Sequence, residues 1–102
     1  DGHKSLILFM DCDDSNTQCK TIQFYAGYSV DDLFSVDRVN EWNRDKRFGR
    51  AYVDKSGDPV VEMDLDLDFN GLPRANVVES FRVWRSIVRS FATFVNGDSD
   101  AG

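Results

Sequence analysis

One stretch of this 102-residue chain leaves little freedom in what it can become. From Val61 to Asp68 apolar and acidic residues alternate without a break, with Val61, Met63, Leu65 and Leu67 on one parity and Glu62, Asp64, Asp66 and Asp68 on the other. Side chains of a strand point alternately to opposite faces, so this is the pattern of a half-buried β-strand. It follows Lys55-Ser56-Gly57-Asp58-Pro59, where glycine suits a positive φ and proline cannot donate to a sheet ladder. A hairpin of Arg50–Asp54 with Val60–Asp68 is therefore predicted. Setting Ala51 opposite Met63 brings Val53 to Val61 and Gly49 to Leu65 on the apolar side. The same register brings Arg50 to Asp64 and Tyr52 to Glu62 on a solvated side. Opposite charges across paired strands contribute roughly 0.2–1 kcal/mol each, which favours this register.

A second hairpin is predicted upstream. Leu6–Asp11 and Lys20–Tyr28 are rich in strand-forming residues, and the polar cluster from Asp13 to Gln18 separates them. If Cys12 faces Cys19, then Phe9 meets Ile22, Ile7 meets Phe24 and Asp11 meets Lys20, all sensible pairs. Cys12 and Cys19 are thus a candidate disulfide at the hairpin mouth, with two buried thiols as the other reading. A metal or redox-catalytic role lacks CxxC spacing and companion histidines. Leu6, Leu8 and Met10 fall on the face opposite Ile7 and Phe9. A strand apolar on both faces is either buried twice or receives a partner, and these three are candidate contact residues.

Two helices complete the pattern. The first ends near Arg47 and starts after Ser29 or Ser35, either of which could cap it. The second starts at a capping-box pattern, Asn76-Val77-Val78-Glu79. Val77, Phe81, Trp84, Val88, Phe91 and Val95 then recur at helical steps, with Ile87 and Phe94 widening the stripe, and Asn96-Gly97 supplies a stop. Strand, strand, helix, strand, strand, helix makes an α+β domain: an antiparallel sheet of two hairpins with helices on one face. Residues 1–97 are expected to be that single domain and 98–102 a flexible tail.

Composition excludes several functions. Twelve basic against eighteen acidic residues give a formal charge of −6. Phosphate backbones are bound through clustered Lys and Arg, so no nucleic-acid partner is expected. No apolar run reaches membrane-span length. His3 is the one histidine, and nucleophile-elbow, P-loop and zincin spacings are absent, so no catalytic residue and no cofactor is assigned. Asp64-x-Asp66-x-Asp68 imitates the start of a calcium loop. Phe69 stands where that loop needs glycine, however, and Ala75 where it needs the bidentate glutamate. Asp11-x-Asp13-x-Ser15 fails likewise at Ile22, so no metal is expected.

Two polar clusters are candidates for partner binding. Arg82, Arg85 and Arg89 share one side of the last helix, where they form either a patch for an acidic partner or phosphate group or simply a solvated face. Asn40, Asn43 and Arg47 recur at steps of three and four around Trp42. They form either a ligand-facing ridge or a junction whose asparagines satisfy nearby backbone while Trp42 packs in the core.

Three stretches taken together, Cys12 to Gly27, Val39 to Tyr52 and Asp58 to Leu67, along with Phe81-x-x-Trp84, are similar to the bacterial YbjN family of sensory transduction regulators. The resemblance implies a type III secretion chaperone-like fold, with an N-terminal helix and a first strand lying upstream of Asp1, a segment that could equally cover the face of Leu6, Leu8 and Met10. Asn70-Gly71 stands where that family carries Gly-Gly, a departure confined to a turn. The family brings no catalytic residues. The expectation is a non-catalytic regulatory module, a chaperone-like adaptor holding a protein or peptide partner. The alternative is a self-associating protein of the cell envelope, such as a homodimer, and a hydrolase-like enzyme is a remote third. Disulfides persist in oxidising compartments and relatives include exported proteins, so a periplasmic location is expected over a cytoplasmic one.

Overall fold

The computed structural model describes residues 3–15, 19–67 and 71–97. Asp68, the middle of the first loop and the 98–102 tail lie outside the described residues. The elements are β1 (His3–Met10), β2 (Thr21–Tyr28), α1 (Val36–Asp45), β3 (Arg50–Val53), β4 (Pro59–Asp66) and α2 (Arg74–Val95). The strands form one antiparallel four-stranded sheet in the order β1-β2-β4-β3, so the two hairpins lie side by side with β2 and β4 at the centre. Both helices cover one face, and the fold is α+β.

The core follows from strand parity. Ile22, Phe24 and Ala26 of β2, Val61 and Met63 of β4 and Ala51 of β3 meet Val39 and Trp42 of α1 and Trp84, Ile87 and Phe91 of α2. Phe91 is fully buried, with ring centroids 4.9 Å from Trp42 and 5.7 Å from both Tyr28 and Phe94. Side chains buried to this extent contribute about 1.5–3 kcal/mol each. Around α2 it is Ile87 that sinks into the core, while Phe81 stays at the margin with its ring edge on Phe24, 5.2 Å between centroids.

The first hairpin takes the expected register, Ile7 opposite Phe24 and Phe9 opposite Ile22, and Cys12 and Cys19 form a disulfide at its mouth. The second does not. Ala51 faces Val61 and Val53 faces Pro59, two residues from the pairing expected. Asp54 causes the shift: its Oδ1 accepts from the N–H of Ser56 at 2.9 Å and of Asp58 at 3.0 Å, and its own N–H donates to Asp58 O at 2.9 Å. This tight turn brings Pro59 directly into the strand. A two-residue slip preserves the faces, so the apolar side is unaffected.

Both helix starts also needed tertiary information. Ser35 caps α1, its Oγ accepting from Arg38 N–H at 3.2 Å. The stretch after Ser29 is held elsewhere, because Val30 N–H donates to Asp58 Oδ1 at 3.1 Å and Phe34 N–H to Gly57 O at 3.0 Å. Gly57 has φ +85°, so the turn calls for glycine, while a Cβ there would press only on the end of the exposed Leu33 side chain. In α2 the expected Asn76 cap is overturned: the helix begins at Arg74 behind Pro73, whose carbonyl accepts from Asn76 N–H at 3.0 Å. Proline's fixed φ suits the extended residue that precedes the helix. Glu79 lies one turn in and accepts from Arg82 at 3.3 Å. Among the described residues no helix is long and apolar enough to cross a membrane.

Candidate binding surfaces

β1 is an edge strand, paired on one side with β2. Leu6, Ile7, Leu8, Phe9 and Met10 are all exposed, Phe9 by 64%. Leu6, Leu8 and Met10 share the helix-free face with Tyr25, Gln23 and Thr21, their cross-strand partners. Ile7 and Phe9 lie on the helix side, beyond the reach of α2, which packs on β2 and β4. Between β1 and α2 a groove of about 730 Å³ remains, floored by Ile7, Tyr28, Trp84 and Val88 and rimmed by Arg85 and Arg89.

Arg82, Arg85 and Arg89 form a ridge along the outside of α2. On its other flank lies a smaller groove of about 390 Å³ between α1 and α2, which includes Trp42, Arg47 and Phe48. Asn43 is committed nearby: its Nδ2 donates to Ala51 O at 3.0 Å and its Oδ1 accepts from Ala51 N–H at 2.8 Å. Both halves of the amide thus satisfy the outer edge of β3. Asn40 is exposed on the same helix.

The helix-free face of β4 carries the acidic ladder, which is more tightly paired than a solvated face. Arg50 donates to Glu62 Oε1 at 2.8 Å and to Asp64 Oδ2 at 2.6 Å, while Tyr52 Oη donates to Glu62 Oε2 at 2.8 Å. Glu62 is 8% exposed, which corrects its assignment to a solvated side. The charge pairs expected straight across the hairpin are thus made diagonally in the shifted register. Burial and the hydrogen bond to Glu62 push the Tyr52 phenol up to about 12. Burial would raise the Asp64 carboxyl, but hydrogen bonds from Arg50 and Gln23 and the guanidinium charge bring it below the ordinary carboxylate value.

Compared with known proteins, the chain matches one family over residues 1–96, YbjN, described as "Putative bacterial sensory transduction regulator". The chain belongs to the YbjN family. No curated protein and no solved structure matched it.

In this YbjN domain the residues singled out from sequence fall into separate places. Leu6, Leu8 and Met10 gather on one face of β1, Arg82, Arg85 and Arg89 form the ridge of α2, and Arg47 lies in the smaller groove beyond that ridge. Sequence reasoning missed Ile7 and Phe9 as surface residues, because their parity matches the core face and only the width of α2 leaves them bare. It also missed Phe48, which is 65% exposed with φ 72°. Nothing in Arg47-Phe48-Gly49 announces a left-handed phenylalanine.

Proposed function

We propose that this YbjN domain is a non-catalytic regulatory module, a chaperone-like adaptor that holds a polypeptide partner along β1. The observation that carries this reading is an eight-residue edge strand exposing five consecutive apolar side chains. An open edge offers backbone donors and acceptors to an added strand, and alternate side chains on both faces then select its sequence. The groove beside β1 lets arginines 85 and 89 reach an acidic flank of the same partner. Asp64, its carboxyl lowered, is held in a structural ion pair with Arg50. The Cys12–Cys19 disulfide favours an oxidising compartment such as the periplasm. Intact mass of protein from its native host, with and without reductant, tests that: a gain of two hydrogens on reduction supports it, and free thiols point to the cytoplasm.

Self-association through the same strand is the second reading, favoured by the apolar character of both β1 faces. Peptide display selected on the wild type and repeated on Leu8→Lys tests the first. Peptides with alternating apolar residues should be enriched and should be lost on Leu8→Lys, whereas peptides retained by that variant would place binding elsewhere. Sedimentation equilibrium over a wide concentration range tests the second: a doubled mass that Leu8→Lys abolishes would make a second copy the occupant of β1.

A further inference from the structure

The helix layer over the sheet stops short of one edge. α1 packs on β3 and α2 on β2 and β4, whereas Ile7 and Phe9 of β1 stay 46% and 64% exposed on the helix side. The groove of about 730 Å³ between β1 and α2 is the gap that this leaves. Its α2 wall runs from Trp84 to Asn96, about three helical turns or roughly 18 Å.

Two properties of the gap define what fits it. The first is the state of the backbone around it. The inner backbone groups of β1 pair with β2, and those of α2 are used within the helix, so the floor offers side chains only. A polypeptide lying there must satisfy its own backbone, which an α-helix does and an extended strand does not. The second is charge. Arg85 and Arg89 stand exposed and one turn apart on the rim. Neither guanidinium has a hydrogen bond, ion pair or ring contact among the described residues, and no carboxylate lines the groove. Arg82, by contrast, is already paired with Glu79. Two unmatched cations beside an apolar floor, in a chain of formal charge −6, are complementary to an acidic flank.

We propose that this groove receives an amphipathic α-helix of a partner polypeptide. Its apolar stripe lies against Ile7, Trp84 and Val88, and two carboxylates one turn apart face Arg85 and Arg89. A second copy supplies no such helix among the described residues, because α1 buries Val39 and Trp42 in the core and α2 carries arginines along its outer side. The proposal rests on the adaptor reading for the partner being a polypeptide, but it uses the helix side of β1 rather than its open edge.

The probe is a synthetic peptide of about fourteen residues, held helical by a hydrocarbon staple on its solvent side. It carries leucines at steps of three and four and two glutamates a turn apart on one flank. Titration into ¹⁵N-labelled protein follows the Trp84 indole and the Ile7 and Val88 amides. The glutamate peptide should shift all three saturably, and a matched peptide with lysine at both positions should bind at least about tenfold more weakly. Arg85→Glu combined with Arg89→Glu should reverse that order, with an unmoved Trp42 indole in the free variant verifying its fold. Leu8→Lys, which alters the opposite face of β1, should leave the glutamate peptide bound as tightly as before. Loss of strand-forming peptides on Leu8→Lys thus reports on the edge alone, so the two readings fail separately. The proposal is overturned if the Trp84 indole does not respond, if the lysine peptide binds the wild type equally well, if the double reversal does not favour it, or if Leu8→Lys removes binding. Protein from the complete reading frame is titrated in parallel. Loss of binding there alone would assign the groove to the chain's own upstream segment and would also overturn the proposal.

Discussion

The sheet ends in β3 on one side and β1 on the other, and the two edges are finished in opposite ways. β3 is four residues long, Asn43 occupies both backbone groups of Ala51 on its outer side, and Arg50 and Tyr52 are tied to carboxylates of β4. β1 is eight residues long and apolar on both faces, and β2 with the Cys12–Cys19 disulfide holds it. Exposed edges invite pairing, and proteins usually blunt them with short strands, charges or a covering element. Among the described residues β3 shows all three devices, whereas β1 shows only the charge of Lys4 near its start. The contrast is between an edge closed by contacts within the described residues and one whose outer side those residues leave uncovered.

The contrast can be broken most directly through the core. Phe91→Ala should cost about 3–5 kcal/mol in urea unfolding, as large-to-small changes at buried aromatics do. Phe9→Ala, a change of the same chemistry at the open edge, should cost under about 0.5 kcal/mol. A loss above about 1 kcal/mol at Phe9 would mean that β1 is packed, and the comparison would fail.

Next in size is the disulfide, which closes a short loop with a sequence separation of 7. Replacing both cysteines by serine should cost about 2–3 kcal/mol on loop-entropy grounds. Hydrogen exchange should show the loss concentrated in β1, with β3 unchanged. Equal acceleration at both edges would show that the disulfide supports the whole sheet.

Asn43→Ala should cost about 1–2 kcal/mol by leaving Ala51 without its side-chain partners, and the Ala51 amide should exchange faster. If neither changes, the closed edge is closed by α1 packing alone.

The smallest effect sharpens the comparison through pH. Tyr52 titrates near 12 in the fold against 10.0 for the free phenol, so its stabilisation is complete below about pH 10 and is lost as pH rises towards 12. Tyr52→Phe should flatten that alkaline part of the stability profile, read from urea midpoints. Asp64 works in the other direction. Its lowered carboxyl stabilises the fold above about pH 4 and loses that contribution as pH falls through its folded value. As the Arg50–Asp64 pair is largely solvated, Asp64→Asn should cost under about 0.5 kcal/mol at neutral pH.

Much of this was readable in the residues. The β1–β2 register followed from making Cys12 face Cys19, since that choice put every neighbouring pair in a sensible place. Leu6, Leu8 and Met10 could be named as a second apolar face because strand parity is a local property. Arg47 and the arginines of α2 could be named because helical spacing groups them. The β3–β4 register misled because charge pairing works diagonally as well as straight across, and the turn at Asp54 made the choice. The smaller groove was invisible as a unit, since Trp42 and Arg47 are brought to Arg82 only when α1 and α2 pack on the same face.

The sequence by itself determined which segments are strands and helices, which of their faces seek burial, and the order that makes an α+β fold. Those are consequences of periodicity, which acts within a few residues. Tertiary structure alone decided where helices begin, how β3 sits on β4, how far α2 reaches over the sheet and which side chains stay unpartnered. Each of those depends on hydrogen bonds or packing between segments distant in the chain, such as Val30 with Asp58 and Asn43 with Ala51. Their free energy is gained only when the pieces meet, so no local pattern records it.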